Sequence, residues 1–156
     1  MERVPQPVTG SNTRVIRAAF DPDKRDALDP ELEELARQVI GAAIEVHRCL
    51  GPGYSEPVYD EALAIELALR QIPCARQPTF ALDYKGNIVG TGRLDFLIAD
   101  RLVLELKAVD ALGPVHRAQV LSYLQAKKLQ LGLLVNFNSA VLKDGIKRVI
   151  LSSASS

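Results

Sequence analysis

Two charged side chains interrupt the most apolar stretch in the middle of the chain. Glu105 and Lys107 lie two residues apart within LVLELKAVD, residues 102–110. Because side chains alternate along a β-strand, both would project from one face while the leucines enter the core from the other. A half-exposed strand with a surface ion pair would explain this pattern. Such pairs are common, so the pattern alone is weak evidence for a site that needs a carboxylate beside an ammonium group.

Asp95 favours the second interpretation. It is the only acidic residue in the apolar stretch 94–98 and precedes Glu105 by ten residues. If residues 99–101 form a three-residue loop between antiparallel strands, Asp95 lies opposite Glu105 on the same face, whereas a two-residue loop pairs it with Leu106. Two adjacent carboxylates repel each other, and a divalent cation is the usual remedy. Oxygen ligands favour Mg²⁺ or Mn²⁺ over zinc.

Three further polar residues are weaker candidates. Glu56 begins a predicted helix, where a carboxylate also suits the positive end of the helix dipole. Gln119 and Tyr123 are four residues apart and therefore share one helical face, as they would in any amphipathic helix.

The elements around these residues predict a mixed α/β sheet domain. Asp29 as N-cap and Pro30 at the first helical position begin a helix that ends near "GPG" at residues 51–53. The hydrophobic periodicity predicts a second helix over 55–71, strands over 74–84, 88–99 and 101–109, a helix over 115–129, a buried strand over 131–137, and either an edge strand or a short helix over 146–151. Residues 1–28 are expected to form a flexible arm, and residues 29–156 the folded domain.

Composition and charge narrow the class of protein. With 156 residues, 47% hydrophobic and 24% charged, the chain fits one globular domain. No apolar run is long enough for a membrane span, no signal peptide is expected, and we expect a cytoplasmic protein. Cys49 and Cys74 lack CxxC spacing, so we expect buried or semi-buried thiols rather than a zinc site or disulfide. Residues 30–100 carry a net −5 and residues 101–156 a net +5, which is compatible with a polyanion partner beside a metal site.

The combined spacing resembles a known group of nucleases. Asp95 followed by Glu105-Leu106-Lys107 is similar to the signature of the PD-(D/E)XK nuclease superfamily. Gly53, Glu56 and Tyr59 match the motif that names the GxxExxY protein family, a branch of that superfamily. The likeness covers about residues 30–150 and includes IGAAIEVHRCLGPG, LELKAVDALGPVHRAQVLSYL and LKDGIKRVI.

One further motif supports the resemblance, and one position departs from it. Gln119 and Tyr123 resemble the Q-x-x-x-Y helix of RecB-like nucleases. Leu94 stands where the superfamily name has proline, a change that affects no expected ligand.

The resemblance implies a restriction-endonuclease-like fold, a mixed β-sheet flanked by helices, with a metal-dependent phosphodiesterase site. It implies that Asp95 and Glu105 hold Mg²⁺ or Mn²⁺, with the backbone carbonyl of Leu106 as an added ligand. Glu56 would bind a second metal or act through water. Lys107, kept protonated by the carboxylates, would stabilise charge and position water rather than act as a base.

Roles for four residues on helices are less defined. Gln119 and Tyr123 would orient the phosphate or the Lys107 side chain. His47 could approach the Glu56 end of the site or be structural. His116 at a helix N-terminus could contact phosphate or lie on the surface.

The functional hypotheses remain distinct at this point. The first is a Mg²⁺-dependent nuclease acting on DNA or RNA. The alternative is a catalytically silent module that binds nucleic acid or protein on a nuclease fold. A hydrolase acting on a small phosphodiester is a third. The small size leaves little recognition surface, so a homodimer or a partner protein would suit the first two.

Overall fold

The computed structural model describes residues 28–152. Its elements are helices α1 (Pro30–Leu50) and α2 (Glu56–Leu69), strands β1 (Cys74–Arg76), β2 (Thr79–Tyr84), β3 (Asn87–Arg93), β4 (Phe96–Ile98) and β5 (Leu102–Lys107), helix α3 (Pro114–Lys127), strand β6 (Leu131–Asn136), a 3₁₀ helix (Leu142–Gly145) and strand β7 (Ile146–Ile150). The expected flexible arm lies outside the described residues, except for Leu28, which packs against the core.

Five strands form one mixed sheet in the order β1-β4-β5-β6-β7. Only the central pair β5–β6 is parallel, and α3 makes the connection between its two strands. The remaining neighbours are antiparallel. This sheet and its flanking helices confirm the predicted restriction-endonuclease-like architecture.

The two long strands predicted before β5 were wrong, because each is divided in two. The inner parts, β1 and β4, pair within the large sheet, whereas β2 and β3 form a separate two-stranded sheet. At the break Gln77 has a positive φ of 55°, and Pro78 has no N–H to donate. Gln77 N–H to the Asp95 carbonyl, 2.9 Å, and Leu94 N–H to the Pro78 carbonyl, 3.0 Å, hold the two sides together. The break therefore places Asp95 where the hairpin leaves the large sheet.

The end of the described chain resolves an open prediction. Residues 146–150 form β7, an edge strand antiparallel to β6, preceded by the 3₁₀ helix. The other element boundaries differ from the prediction by a few residues. Helix α2, for example, ends at Leu69 because Gln71 adopts a positive φ of 59°.

The core lies on both faces of the large sheet. On one face the alternate leucines of β5 (Leu102, Leu104 and Leu106) pack with the buried residues of α1 and α2. On the other face Val103 packs with Val120 and Leu124 of α3. Glu105 and Lys107, which follow Val103 in the alternation, therefore belong to the α3 face of β5.

Two expectations about the class of protein can be compared with the fold. No helix within residues 28–152 is long and apolar enough to cross a membrane. Cys49 and Cys74 are both free and exposed, so the prediction of buried or semi-buried thiols was wrong. Cys49 lies in the last turn of α1, and Cys74 begins the edge strand β1.

Candidate active site

The loop between β4 and β5 sets the register of the central carboxylates. Phe96 pairs with Leu104 and Ile98 with Leu102, which leaves the three residues 99–101 as the connection. This is the register that places Asp95 beside Glu105. The Asp95 N–H donates to Glu105 Oε1 at 2.7 Å. The Leu106 N–H donates to Asp95 Oδ2 at 2.8 Å.

Glu105 is a buried carboxylate rather than half of a surface ion pair. Only 4% of the residue is exposed. Burial, and then the charge of Asp95, raise the pKa of Glu105 to about 8. Burial also raises the pKa of Asp95, although the hydrogen bond from the Leu106 N–H opposes it. Both carboxyl groups thus occupy a place where negative charge lacks full compensation.

Lys107 supplies a cation close to this pair without neutralising it. Its charge lowers the pKa of both Asp95 and Glu105. Within the described residues its ammonium group makes no ion pair at 4.0 Å or less. Its backbone is fixed, because the Phe137 N–H donates to the Lys107 carbonyl at 2.8 Å. The half-buried side chain is therefore available to an anion.

A cleft of about 330 Å³ opens beside Asp95, whereas Glu105 and Lys107 do not line it. One wall comes from the first turns of α2, the other from the broken hairpin, and Asp95 and Leu106 lie between them. The lining residues are Glu56, Pro57, Asp60, Glu61, Arg76, Gln77, Arg93, Asp95 and Leu106. The structure thus brings Glu56, Asp95 and Leu106 together.

Besides Pro57 and Glu61 of α2, sequence reasoning missed four residues of this cleft: Asp60, Arg76, Gln77 and Arg93. Two of them carried a local signal. Asp60 follows Glu56 by four residues, which is one helical turn. Arg93 precedes Asp95 by two residues, which is the spacing of neighbours on one strand face. The other two residues are brought in by the break in the hairpin.

The segment before α2 is held by a buried tyrosine. The Tyr59 hydroxyl donates to the Gly51 carbonyl at 2.6 Å and accepts from the Tyr54 N–H at 3.2 Å. The Tyr59 ring is fully buried and stacks on Phe137 with the centroids 4.6 Å apart. Gly53 has a φ of 110°, which favours glycine. These contacts fix the start of α2, which carries Glu56.

Helix α3 brings its tyrosine to the other side of the carboxylate pair. Burial, followed by the charges of Glu105 and Asp95, raises the pKa of Tyr123, and Gln119 acts in the opposite direction. The Tyr123 ring also meets Phe80 of β2 edge to face, with the centroids 5.3 Å apart. Gln119 is exposed one turn earlier on the same face. Tyr123 therefore faces the site and supports the hairpin.

Both histidines have structural partners. His47 Nε2 lies 2.8 Å from the Ser139 carbonyl, and its ring lies beside Phe137. His116 Nδ1 accepts the Gly113 N–H at 3.0 Å at the start of α3. Neither residue lines the cleft beside Asp95.

The donor set fits a cation that takes few protein ligands. Across residues 28–152 no three His, Cys, Asp or Glu side chains are grouped so that they could hold a metal ion. Mg²⁺, however, is commonly bound by one or two carboxylates together with water and substrate phosphates. The adjacent carboxylates of Asp95 and Glu105 meet that requirement, because each accepts one backbone N–H on one oxygen and keeps its other oxygen for a ligand. Glu56 lines the same cleft but is not part of a three-carboxylate cluster.

Comparison with protein families identifies the superfamily of the chain. The family model of the PD-(D/E)XK nuclease superfamily matches residues 33–149, which is most of the chain. The protein therefore belongs to the PD-(D/E)XK nuclease superfamily. No curated protein and no solved structure matches it.

Proposed function

We propose that this protein hydrolyses phosphodiester bonds of DNA or RNA with the help of Mg²⁺ or Mn²⁺. The observation that carries the proposal is the half-buried Asp95 hydrogen-bonded beside the buried Glu105, next to a Lys107 that makes no ion pair within residues 28–152. Such a pair is costly without a cation, and a lysine without a partner is suited to a phosphate. Membership of a nuclease superfamily supports the same chemistry.

We also propose that the chain belongs to the GxxExxY branch. The three motif residues have separate roles that together explain their spacing. Gly53 adopts a positive φ, Glu56 lines the cleft, and Tyr59 ties down the loop between them. The GxxExxY motif would then serve to position the carboxylate of Glu56.

In the proposed mechanism Asp95 and Glu105 hold the cation, with the Leu106 carbonyl as an added ligand. Glu56 acts through water or on a second ion. When bound, the cation withdraws charge from a phosphate oxygen and lowers the pKa of a water molecule.

Three side chains, Lys107, Tyr123 and Gln119, stabilise charge and orient the groups that react. Lys107 stabilises the negative charge that develops on the phosphate as water attacks. Tyr123 and Gln119 orient Lys107 or the phosphate from α3.

The test is cleavage of labelled single- and double-stranded DNA and RNA with Mg²⁺ or Mn²⁺. Asp95→Ala and Lys107→Ala serve as variants of the site, and Lys128→Ala, an exposed residue at the end of α3, serves as the control. We expect the wild type and the Lys128 variant to cut at least one substrate. Both site variants should lose the activity.

Measuring Mn²⁺ binding distinguishes the possible reasons for a negative cleavage result. If nothing is cut but Mn²⁺ binds in a way that Asp95→Ala abolishes, the protein is a binding module with an intact metal site. If neither cleavage nor metal binding is found, the proposed function is wrong. Cleavage that survives Asp95→Ala would place the chemistry elsewhere.

A further inference from the structure

Two arginines line the cleft, and they differ in what they contact. Arg76 of β1 bridges to α2, where it is ion-paired with Asp60 and, at 2.9 Å, with Glu61. Its guanidinium also lies over the Phe96 ring, 5.9 Å from the centroid. Arg76 thus links the two walls, and its charge is already neutralised.

Arg93, at the end of β3, has no such partner in the part of the chain that the structure describes. It is exposed, and within residues 28–152 it makes neither an ion pair nor a side-chain hydrogen bond. Six of the eight described arginines are ion-paired, so this is unusual in this chain. The six are Arg37, Arg48, Arg70, Arg76, Arg101 and Arg148.

The position of Arg93 is fixed by its neighbours. Its backbone pairs with Thr79, and the next residue, Leu94, is buried against α3 and donates its N–H to Pro78. Arg93 therefore sits on the hairpin wall, two residues before Asp95, at the rim of the cleft.

The charges of the cleft explain why a free guanidinium matters there. The lining residues include four carboxylates and two guanidinium groups, so an approaching phosphate meets net negative charge. Because Arg76 is neutralised, Arg93 is the one cation among the lining residues that has no partner within residues 28–152. Guanidinium groups bind phosphate oxygens through two parallel hydrogen bonds.

We infer that Arg93 binds a backbone phosphate next to the one that is cut and so fixes the path of the nucleic-acid strand along the hairpin wall. This inference rests on the proposed function, which places the reacting phosphate at Asp95, Glu105 and Lys107. It adds a substrate contact outside the residues that the superfamily signature contains.

The test compares Arg93→Ala and Arg93→Lys with Lys85→Ala. Lys85 is an exposed cation at the tip of the same hairpin and does not line the cleft. Binding of a labelled oligonucleotide is measured in Ca²⁺ over a range of salt concentrations, and KM and kcat are measured in Mg²⁺. Thermal unfolding of each variant checks the fold.

We expect Arg93→Ala to weaken binding about tenfold. The slope of the logarithm of the binding constant against the logarithm of the salt concentration should become shallower by about one unit, as expected for the loss of one phosphate contact. KM should rise with it, kcat should change far less, and Arg93→Lys should recover part of the affinity. Lys85→Ala should bind like the wild type.

The outcomes distinguish this inference from the proposed function. If the wild type cleaves and Arg93→Ala binds with unchanged affinity and slope, the inference alone is wrong. If the wild type binds without cleaving and binding depends on Arg93, the phosphate contact of Arg93 stands, but the nuclease proposal and the position of that contact next to a cut phosphate are both wrong. If the wild type binds no nucleic acid, both are overturned.

Discussion

The protonation of Glu105 links the stability of the metal-free protein to pH. Its pKa of about 8 in the folded state lies above the ordinary 4.5 because of burial and the nearby Asp95. The folded protein thus keeps a proton that the unfolded chain releases above pH 4.5. The free energy of unfolding should therefore fall between about pH 4.5 and 8, by at most about 1.4 kcal/mol per pH unit from this group.

Urea unfolding in EDTA at pH 5, 6.5 and 8 measures this dependence. Glu105→Gln removes the titrating group while keeping its shape, so its unfolding free energy should vary less over the same range. An equally steep fall in the variant would show that another group is responsible.

Lys107 should matter for catalysis much more than for folding. Lys107→Gln removes a positive charge that no carboxylate of residues 28–152 pairs with, so we expect little change in the unfolding temperature. Loss of one group that stabilises transition-state charge typically lowers kcat by about 100- to 1,000-fold. Single-turnover cleavage with saturating substrate measures the effect. A variant that folds and cuts at the wild-type rate would exclude Lys107 from the chemistry.

At the scale of elements, the entry to α2 depends on the Tyr59 hydroxyl. Tyr59→Phe keeps the stack on Phe137 but removes the hydrogen bonds to Gly51 and Tyr54. At about 1 kcal/mol for each bond, we expect a loss of about 1–2 kcal/mol of unfolding free energy. Cleavage should fall as well, because Glu56 follows this loop.

The matched control is Tyr54→Phe, because the Tyr54 residue is 51% exposed and no hydrogen bond from its hydroxyl is seen within residues 28–152. It should leave stability and cleavage unchanged. Equal effects of the two substitutions would mean that the Tyr59 hydroxyl does not hold the loop.

The hairpin depends on a glycine opposite an aromatic ring. A side chain at Gly92 would overlap the ring of Phe80, which in turn contacts Tyr123 of α3. Gly92→Ala should therefore cost about 1–3 kcal/mol, as overpacking usually does. Gly90→Ala is the control, because its added carbon would meet Leu82 at an ordinary 3.6 Å. Chemical denaturation measures the unfolding free energy of both variants. Similar losses of unfolding free energy in the two would contradict a specific clash between residue 92 and Phe80.

Local patterns predicted the carboxylates but not the cleft around them. Strand alternation predicted that Asp95 lies beside Glu105 if the connecting loop has three residues, and the structure has a loop of that length. The division of the hairpin was missed although Pro78 lies inside the predicted strand, where proline interrupts pairing. The cleft itself depends on Arg76 and Asp60 meeting across 16 residues of chain, a contact between elements that no local period encodes.

At the scale of the whole molecule, the cation should stabilise the fold. A ligand that binds only the folded state adds about 2.7 kcal/mol at a concentration 100 times its Kd. Mg²⁺ or Mn²⁺ should thus raise the unfolding temperature of the wild type. Asp95→Asn should lose this response, whereas Lys85→Ala should keep it. The same rise in the Asp95 variant would place metal binding at another site.

The short turn between β4 and β5 has a consequence for how this protein could change over evolutionary time. Ala99 and Asp100 both adopt positive φ, and the Arg101 N–H closes the turn on the Ile98 carbonyl at 2.9 Å. Deleting one residue here would shift one strand against the other and turn Asp95 to the opposite face. A gene could thereby lose the proposed activity through a single in-frame deletion of the codon for Ala99 or Arg101, with every acidic residue intact. Among homologous proteins, the length of this turn would then distinguish active from inactive members better than the presence of the carboxylates.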